Sequence, residues 1–251
     1  MKEYRTGTLV TRVYENRAQM GAAAAKDISA EIKRLLKTKS EINMIFAAAP
    51  SQNDVLAALR ADSSIPWEKV NAFHMDEYIG LDEDAPQSFA RFLKDALFDV
   101  LPFKGVYLIR GGETPEAECA RYAELLKKYP TDIVVMGIGE NGHIAFNDPP
   151  VADFHDAEII KPVKLDDVCR MQQVHDGCFP DFDSVPKYAL SLTVPTLMKA
   201  AARFCVVPCS AKAEAVKNTL TGSVGEWCPA TALRVTPNST MYCDWDSASL
   251  L

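Results

Sequence analysis

Short apolar runs separated by helical stretches of about 10–15 residues constrain this chain more than any other feature. Residues 42–47, 70–75, 106–109, 133–138 and 204–207 read as buried strands, and 241–243 as a last short one. Between them, 16–37, 53–60, 88–97, 115–129 and 210–220 carry helical patterns. In 88–97 the apolar residues fall at 89, 92, 93, 96 and 97, one face of a helix. Asn or Ser caps the 53–60 helix, Ser210 caps the 210–220 helix, and Pro115 sits in the first turn of its own. Such alternation predicts βαβ crossovers and a mostly parallel sheet covered by helices on both faces. There is no internal repeat, low-complexity tract or linker, so residues 1–251 are expected to form a single domain. The 148–190 stretch has few periodic signals, and irregular segments of that length are often lids or binding segments.

Composition sets further limits. Apolar residues make up 48% and charged residues 24%, as in ordinary globular proteins. The net charge of −7 argues against nucleic acid and anionic membrane as partners, yet allows a small anionic substrate. The seven cysteines include no Cys-x-x-Cys pair, and the four histidines (74, 143, 155 and 175) are scattered, so no metal site is expected. The cysteines read as buried thiols of a reducing compartment. Neither a signal peptide nor an apolar span of membrane length is present, so a soluble cytoplasmic protein is expected.

Ligands of open parallel sheets bind beyond the carboxyl ends of the strands. Three clusters fall there: Ala49-Pro-Ser-Gln-Asn53, Met75-Asp-Glu-Tyr78 and the stretch from Gly137 to Asp148. The last holds Gly137, Gly139 and Gly142 in a turn that delivers His143, with Asp148 five residues on. Glycine allows close backbone approach to a ligand, and imidazole moves protons near neutral pH. Each residue also has a plainer reading. Asp76 and Glu77 serve as turn or helix-capping carboxylates, or one is a general base tuned by burial. His143 is a structural hydrogen-bonding group or a proton carrier, and Asp148 shapes a turn before Pro149 or faces the same crevice.

Gly137-x-Gly-x-x-Gly142 spells a dinucleotide fingerprint, but it follows a late strand and does not run on into a long helix. Ser210-Ala-Lys212 opens a helix whose N-terminus suits phosphate, with Ser51 as a second cradle and Arg170 as an added guanidinium. The alternatives are an ordinary capped helix and a solvated arginine.

Phe73-His-Met-Asp-Glu-Tyr-Ile-Gly-Leu81 and Gly137-Ile-Gly-Glu-Asn-Gly-His-Ile-Ala-Phe-Asn-Asp-Pro149 closely resemble two signature stretches of glucosamine-6-phosphate deaminases. Val185-Pro-Lys-Tyr-Ala-Leu-Ser191 and Ser210-Ala-Lys-Ala213 resemble two more, in the family's order. The resemblance implies a Rossmann-like α/β fold, no cofactor, and conversion of an amino-sugar 6-phosphate to a ketose 6-phosphate with release of ammonia through an enediol. It implies Asp76 as the base, His143 as the ring-opening group, and Asp148 as its partner, with Asn141 beside them. Ser51, Gln52, Glu77, Gly139, Gly142, Arg170 and Lys212 would line or bind the substrate. A homo-oligomer is expected by analogy alone.

The chain departs from that pattern in places. Where many relatives have a glycine-rich phosphate loop, this one has Ala49-Pro50-Ser51-Gln52, and Pro50 removes an N–H donor. Asn141 stands where many have Asp, and Asp148 where many have Glu. Longer relatives use extra C-terminal residues in effector control, and with the end soon after Trp245 allosteric activation is not expected. Related 6-phosphogluconolactonases typically have Asp-Glu-Arg and Gly-His-Thr where this chain has Asp76-Glu-Tyr78 and Gly142-His-Ile144. A lactone hydrolase and a non-catalytic sugar-phosphate sensor are therefore the competing readings.

Overall fold

The computed structural model describes every residue except 83 and 113. Six strands appear close to where apolar runs predict them: β3 Ile42–Phe46, β4 Val70–His74, β6 Gly105–Tyr107, β7 Ile133–Met136, β10 Ala202–Val207 and β11 Ser239–Asp244. Two more, β1 Lys2–Thr6 and β2 Leu9–Tyr14, precede them and escaped the sequence reading. β1 is almost wholly exposed and carries no apolar signal. Its Lys2, Glu3 and Arg5 discourage pairing with another sheet edge.

Among the described residues, the eight strands form one sheet in the order β1-β2-β11-β10-β7-β3-β4-β6. Only β1 runs antiparallel to its neighbour. Both faces are covered. On β3, Ile42, Met44 and Phe46 pack on one side and Ile45 on the other, as the two-residue period of a strand requires. Helices α1 Arg17–Leu35, α2 Asn53–Ala61 and α3 Phe89–Leu93 belong to the first side. The second side takes α4 Pro115–Lys128, α6 Val194–Met198 and α7 Ala213–Thr221. Each fully buried Ile or Leu contributes about 1.5–3 kcal/mol relative to exposure.

The chain progresses outward in one direction through β3, β4 and β6, and in the other through β7, β10 and β11. The order reverses between β3 and β7, which is where such sheets open a crevice at their carboxyl rim. The segments 47–52 and 137–148 leave the sheet there.

The 148–190 stretch is more regular than its composition suggests. It contains β8 Ile160–Lys164, α5 Asp167–His175 and most of β9 Tyr188–Leu192. β8 and β9 join β5, Asp76–Tyr78, in a small antiparallel sheet. Residues 76–78 thus do not close β4. The backbone leaves the large sheet after His74 and enters the small one at Asp76, opposite Ser191.

Candidate active site

The small sheet brings the site together. Asp76 pairs in register with Ser191. Ser191 Oγ accepts the N–H of Phe146 at 3.0 Å, and Asn147 Nδ2 donates to the carbonyl of Leu192 at 2.8 Å. The loop after β7 is therefore fastened to the strand that also holds Asp76. Both Asp76 and His143 line one cleft, with Ala49, Ser51, Gln52 and Gly139. The expected meeting of these distant residues holds.

Asp76 is buried, 7% exposed. Burial, reinforced by the neighbouring Glu77 charge, pushes its carboxyl well above the ordinary carboxylate range. Glu77 turns elsewhere, because adjacent strand residues face opposite sides. Its carboxylate accepts the N–H groups of Tyr78 (2.9 Å), Phe89 (3.1 Å) and Ala90 (2.8 Å). It caps α3 and does not line the cleft, so the substrate-contact expectation for Glu77 is corrected and the capping alternative applies. Burial raises its pKa to about 7, against the pull of those three donors.

His143 Nδ1 lies 2.9 Å from Asp148 Oδ1. Asn141 locks the pair: its Nδ2 donates to the same Oδ1 at 3.0 Å, and its Oδ1 accepts the His143 N–H at 3.0 Å. Burial pushes the Asp148 carboxyl up. The His143 charge and hydrogen bond, with Asn141 and the Asp166 N–H, outweigh it and leave the pKa below the usual value. The imidazole lies directly over Gly139, where an added Cβ would come within 2.1 Å of the ring. Gly142 has φ +80, and a Cβ there would meet Cys228 Sγ at 2.5 Å. Both glycines shape the loop, and of the two only Gly139 lines the cleft.

Elsewhere on the rim of the cleft, Ser51 and Gln52 form a 3-10 turn, Pro50–Gln52, ahead of α2. Gln52 Nε2 donates to the Val206 carbonyl and to Ser51 Oγ, each at 3.1 Å, while its Oε1 is buried without a partner. No side chain caps α2 or α7; each is preceded by a 3-10 turn. The expected Ser210 cap is replaced by Cys209, held at φ 73, whose N–H donates to both carboxylate oxygens of Asp244 at 3.1 Å. Lys212 is buried with its Nζ unpaired. Burial lowers its pKa, opposed by the charges of Asp176 and Glu140.

Arg170 departs from expectation. Its guanidinium donates to the carbonyls of Phe182 (2.8 Å) and Val185 (2.9 Å) and stacks 3.9 Å over the Phe182 ring. It pins the segment after α5 and does not line the cleft. Its neighbours Gln172 and Gln173 do line it, though nothing singled them out. Gln172 Oε1 accepts the Glu140 N–H at 2.9 Å, which ties α5 to the glycine turn. All seven cysteines are free; Cys119, Cys178 and Cys209 are only partly buried. Among the described residues no helix is long and apolar enough to cross a membrane.

The chain is similar to known proteins of one family. Residues 15–242 match the family described as glucosamine-6-phosphate isomerases/6-phosphogluconolactonase. A glucosamine-6-phosphate deaminase of Bacillus cereus (strain B4264) is 34% identical over 220 residues, covering 87% of this chain and 82% of the relative. One from Bacillus thuringiensis (strain Al Hakam) matches to the same extent. A solved monomeric glucosamine-6-phosphate deaminase superposes with a TM-score of 0.87 at 28% identity, over 96% of this chain and 99% of that one. The 6-phosphogluconolactonase of Trypanosoma brucei, at 18% identity and a TM-score of 0.78 over the whole of both chains, shares the fold. The chain is a member of the glucosamine-6-phosphate isomerase/6-phosphogluconolactonase family, on its deaminase side.

Proposed function

We propose that the protein converts an amino-sugar 6-phosphate, with glucosamine 6-phosphate as the leading substrate, to the ketose 6-phosphate and ammonia. One observation carries the reading: Asp76 and His143, distant in sequence, line the same cleft, and buried Asp148 holds the imidazole from behind at 2.9 Å. A buried carboxyl with a raised proton affinity suits a base that must take a proton from C2 and return it to C1. The imidazole, oriented by Asp148, delivers a proton to the ring oxygen and opens the sugar. Proton transfer from C2 to C1 leaves an imine at C2. Water adds there and ammonia departs, so atoms balance without a redox partner.

Lys212 and Ser51 are the proposed phosphate contacts. An unpaired buried ammonium is costly, and a phosphate dianion would supply the missing partner. α5 supplies one wall of the cleft through Gln172 and Gln173.

The test is to incubate the purified protein with glucosamine 6-phosphate, galactosamine 6-phosphate and 6-phosphogluconolactone, and to follow ammonia and acid. Ammonia from an amino sugar is expected. Acid from the lactone alone would make the protein a hydrolase, and tight binding without turnover would make it a sensor.

A further inference from the structure

We propose that His143, Asp148 and Cys169 form a latent zinc site that disables the proton pair when it is filled. A ring nitrogen, a carboxylate oxygen and a sulfur, all from buried residues, lie within 4.8 Å of one another. Among the described residues no other group of three such side chains is gathered in this way. Imidazole, thiolate and carboxylate are zinc donors, at bond lengths of about 2.0–2.3 Å. The presence of sulfur favours zinc over magnesium or calcium.

The spacing is close to what a tetrahedral ion needs. His143 Nδ1 and Asp148 Oδ1 stand 2.9 Å apart and must spread slightly, while the thiol closes in. Outer contacts already hold the carboxylate. Asn141 Nδ2 donates to Oδ1 at 3.0 Å and the Asp166 N–H to Oδ2 at 3.4 Å, the kind of support that orients metal ligands. Charge also balances: one thiolate and one carboxylate neutralise a dication, and the imidazole enters uncharged. That neutrality suits a site built from buried residues, with the fourth tetrahedral position left to water from the cleft.

Cys169 is otherwise inert. Burial and the nearby Asp148 charge hold its thiol protonated, with a pKa well above the ordinary value. Zinc binding replaces that thiol proton and releases it to solvent. Cys169 does not line the cleft and has no part in the proposed chemistry. Zinc on His143 and Asp148 would take both out of proton transfer. That inhibitory half rests on the deaminase reading; the binding half does not.

The experiment uses the full chain, stripped of metal and kept reduced with a phosphine. Zinc is titrated against a chromophoric chelator, and cobalt(II) serves as the optical probe. One zinc per chain is expected, with a thiolate-to-cobalt charge-transfer band in the near ultraviolet. Cys169→Ala should abolish the band and weaken zinc by about 100-fold or more, since even outer-shell partners are worth about 10- to 100-fold. Cys169→Ser, closer in size, guards against a packing artefact. Both variants should release ammonia normally without metal and resist zinc concentrations that silence the parent. A parent protein without the band, or equal zinc affinity in parent and both variants, would overturn the proposal. Zinc binding that depends on Cys169 in a protein that releases no ammonia would sink the deaminase reading and leave the metal site standing.

Discussion

Asp76 is held where a carboxylate is uncomfortable. Its raised proton affinity means that ionisation near neutral pH costs folding free energy. Asp76→Asn should therefore lower kcat by about 10²- to 10⁴-fold and raise the melting temperature, a trade of stability for activity. A Tm that falls along with activity would mark the residue as structural. His74 gives the opposite pH signature. It is buried, its Nε2 accepts the Ile109 N–H at 2.7 Å, and burial lowers its pKa to about 3. Its unfolded form protonates near 6.5, so its contribution is complete above that pH. As pH falls from about 6.5 toward 3, stability should drop by about 1.4 kcal/mol per unit, and His74→Gln should flatten this part of a urea-midpoint profile. At this scale, much of the site was legible. His143, Asn141 and Asp148 lie within eight residues of one another, on a turn that only a glycine-rich sequence makes. Arg170 was not legible, because the carbonyls it serves lie 12 and 15 residues downstream, where spacing says nothing about direction.

The elements that position these groups are less visible in sequence than the groups themselves. β8 reads Ile-Lys-Pro-Val-Lys, buried only at Ile160 and Val163. Its Pro162 is tolerated because β8 is an edge strand. Neither β8 nor β9 gives a strong apolar run, yet β9 fixes both Asp76 and the His143 loop. The central main-sheet strands β3, β4, β7 and β10 were legible for the converse reason. They are buried on both faces, so their apolar runs are nearly continuous. Glu77 works at this scale by joining β5 to the start of α3. Glu77→Ala should destabilise the fold by about 1–3 kcal/mol, the cost of leaving buried donors without acceptors. Chemical denaturation should show that loss, while KM at permissive temperature stays near the parent value. A KM raised with stability intact would return Glu77 to the substrate.

For the whole molecule, the sheet is the common wall of two cores. β3, β7 and β10 contribute residues to both clusters, so stripping one face exposes the other. A single cooperative transition is expected, with tryptophan fluorescence and far-ultraviolet circular dichroism coinciding in urea; separated transitions would divide the chain into two units. The same topology sets the chemistry, since parallel strands send every useful loop to one rim and the reversal between β3 and β7 opens that rim. The claim that matters most is that Asp76 carries the proton from C2 to C1 in this crevice. Glucosamine 6-phosphate turned over in deuterium oxide, with the ketose phosphate read by NMR, tests it directly. The parent should place deuterium at C1 in the product, in competition with direct return of the C2 proton. Asp76→Asn should still bind substrate and form no labelled product. Labelled product formed by Asp76→Asn at the parent rate would contradict the account.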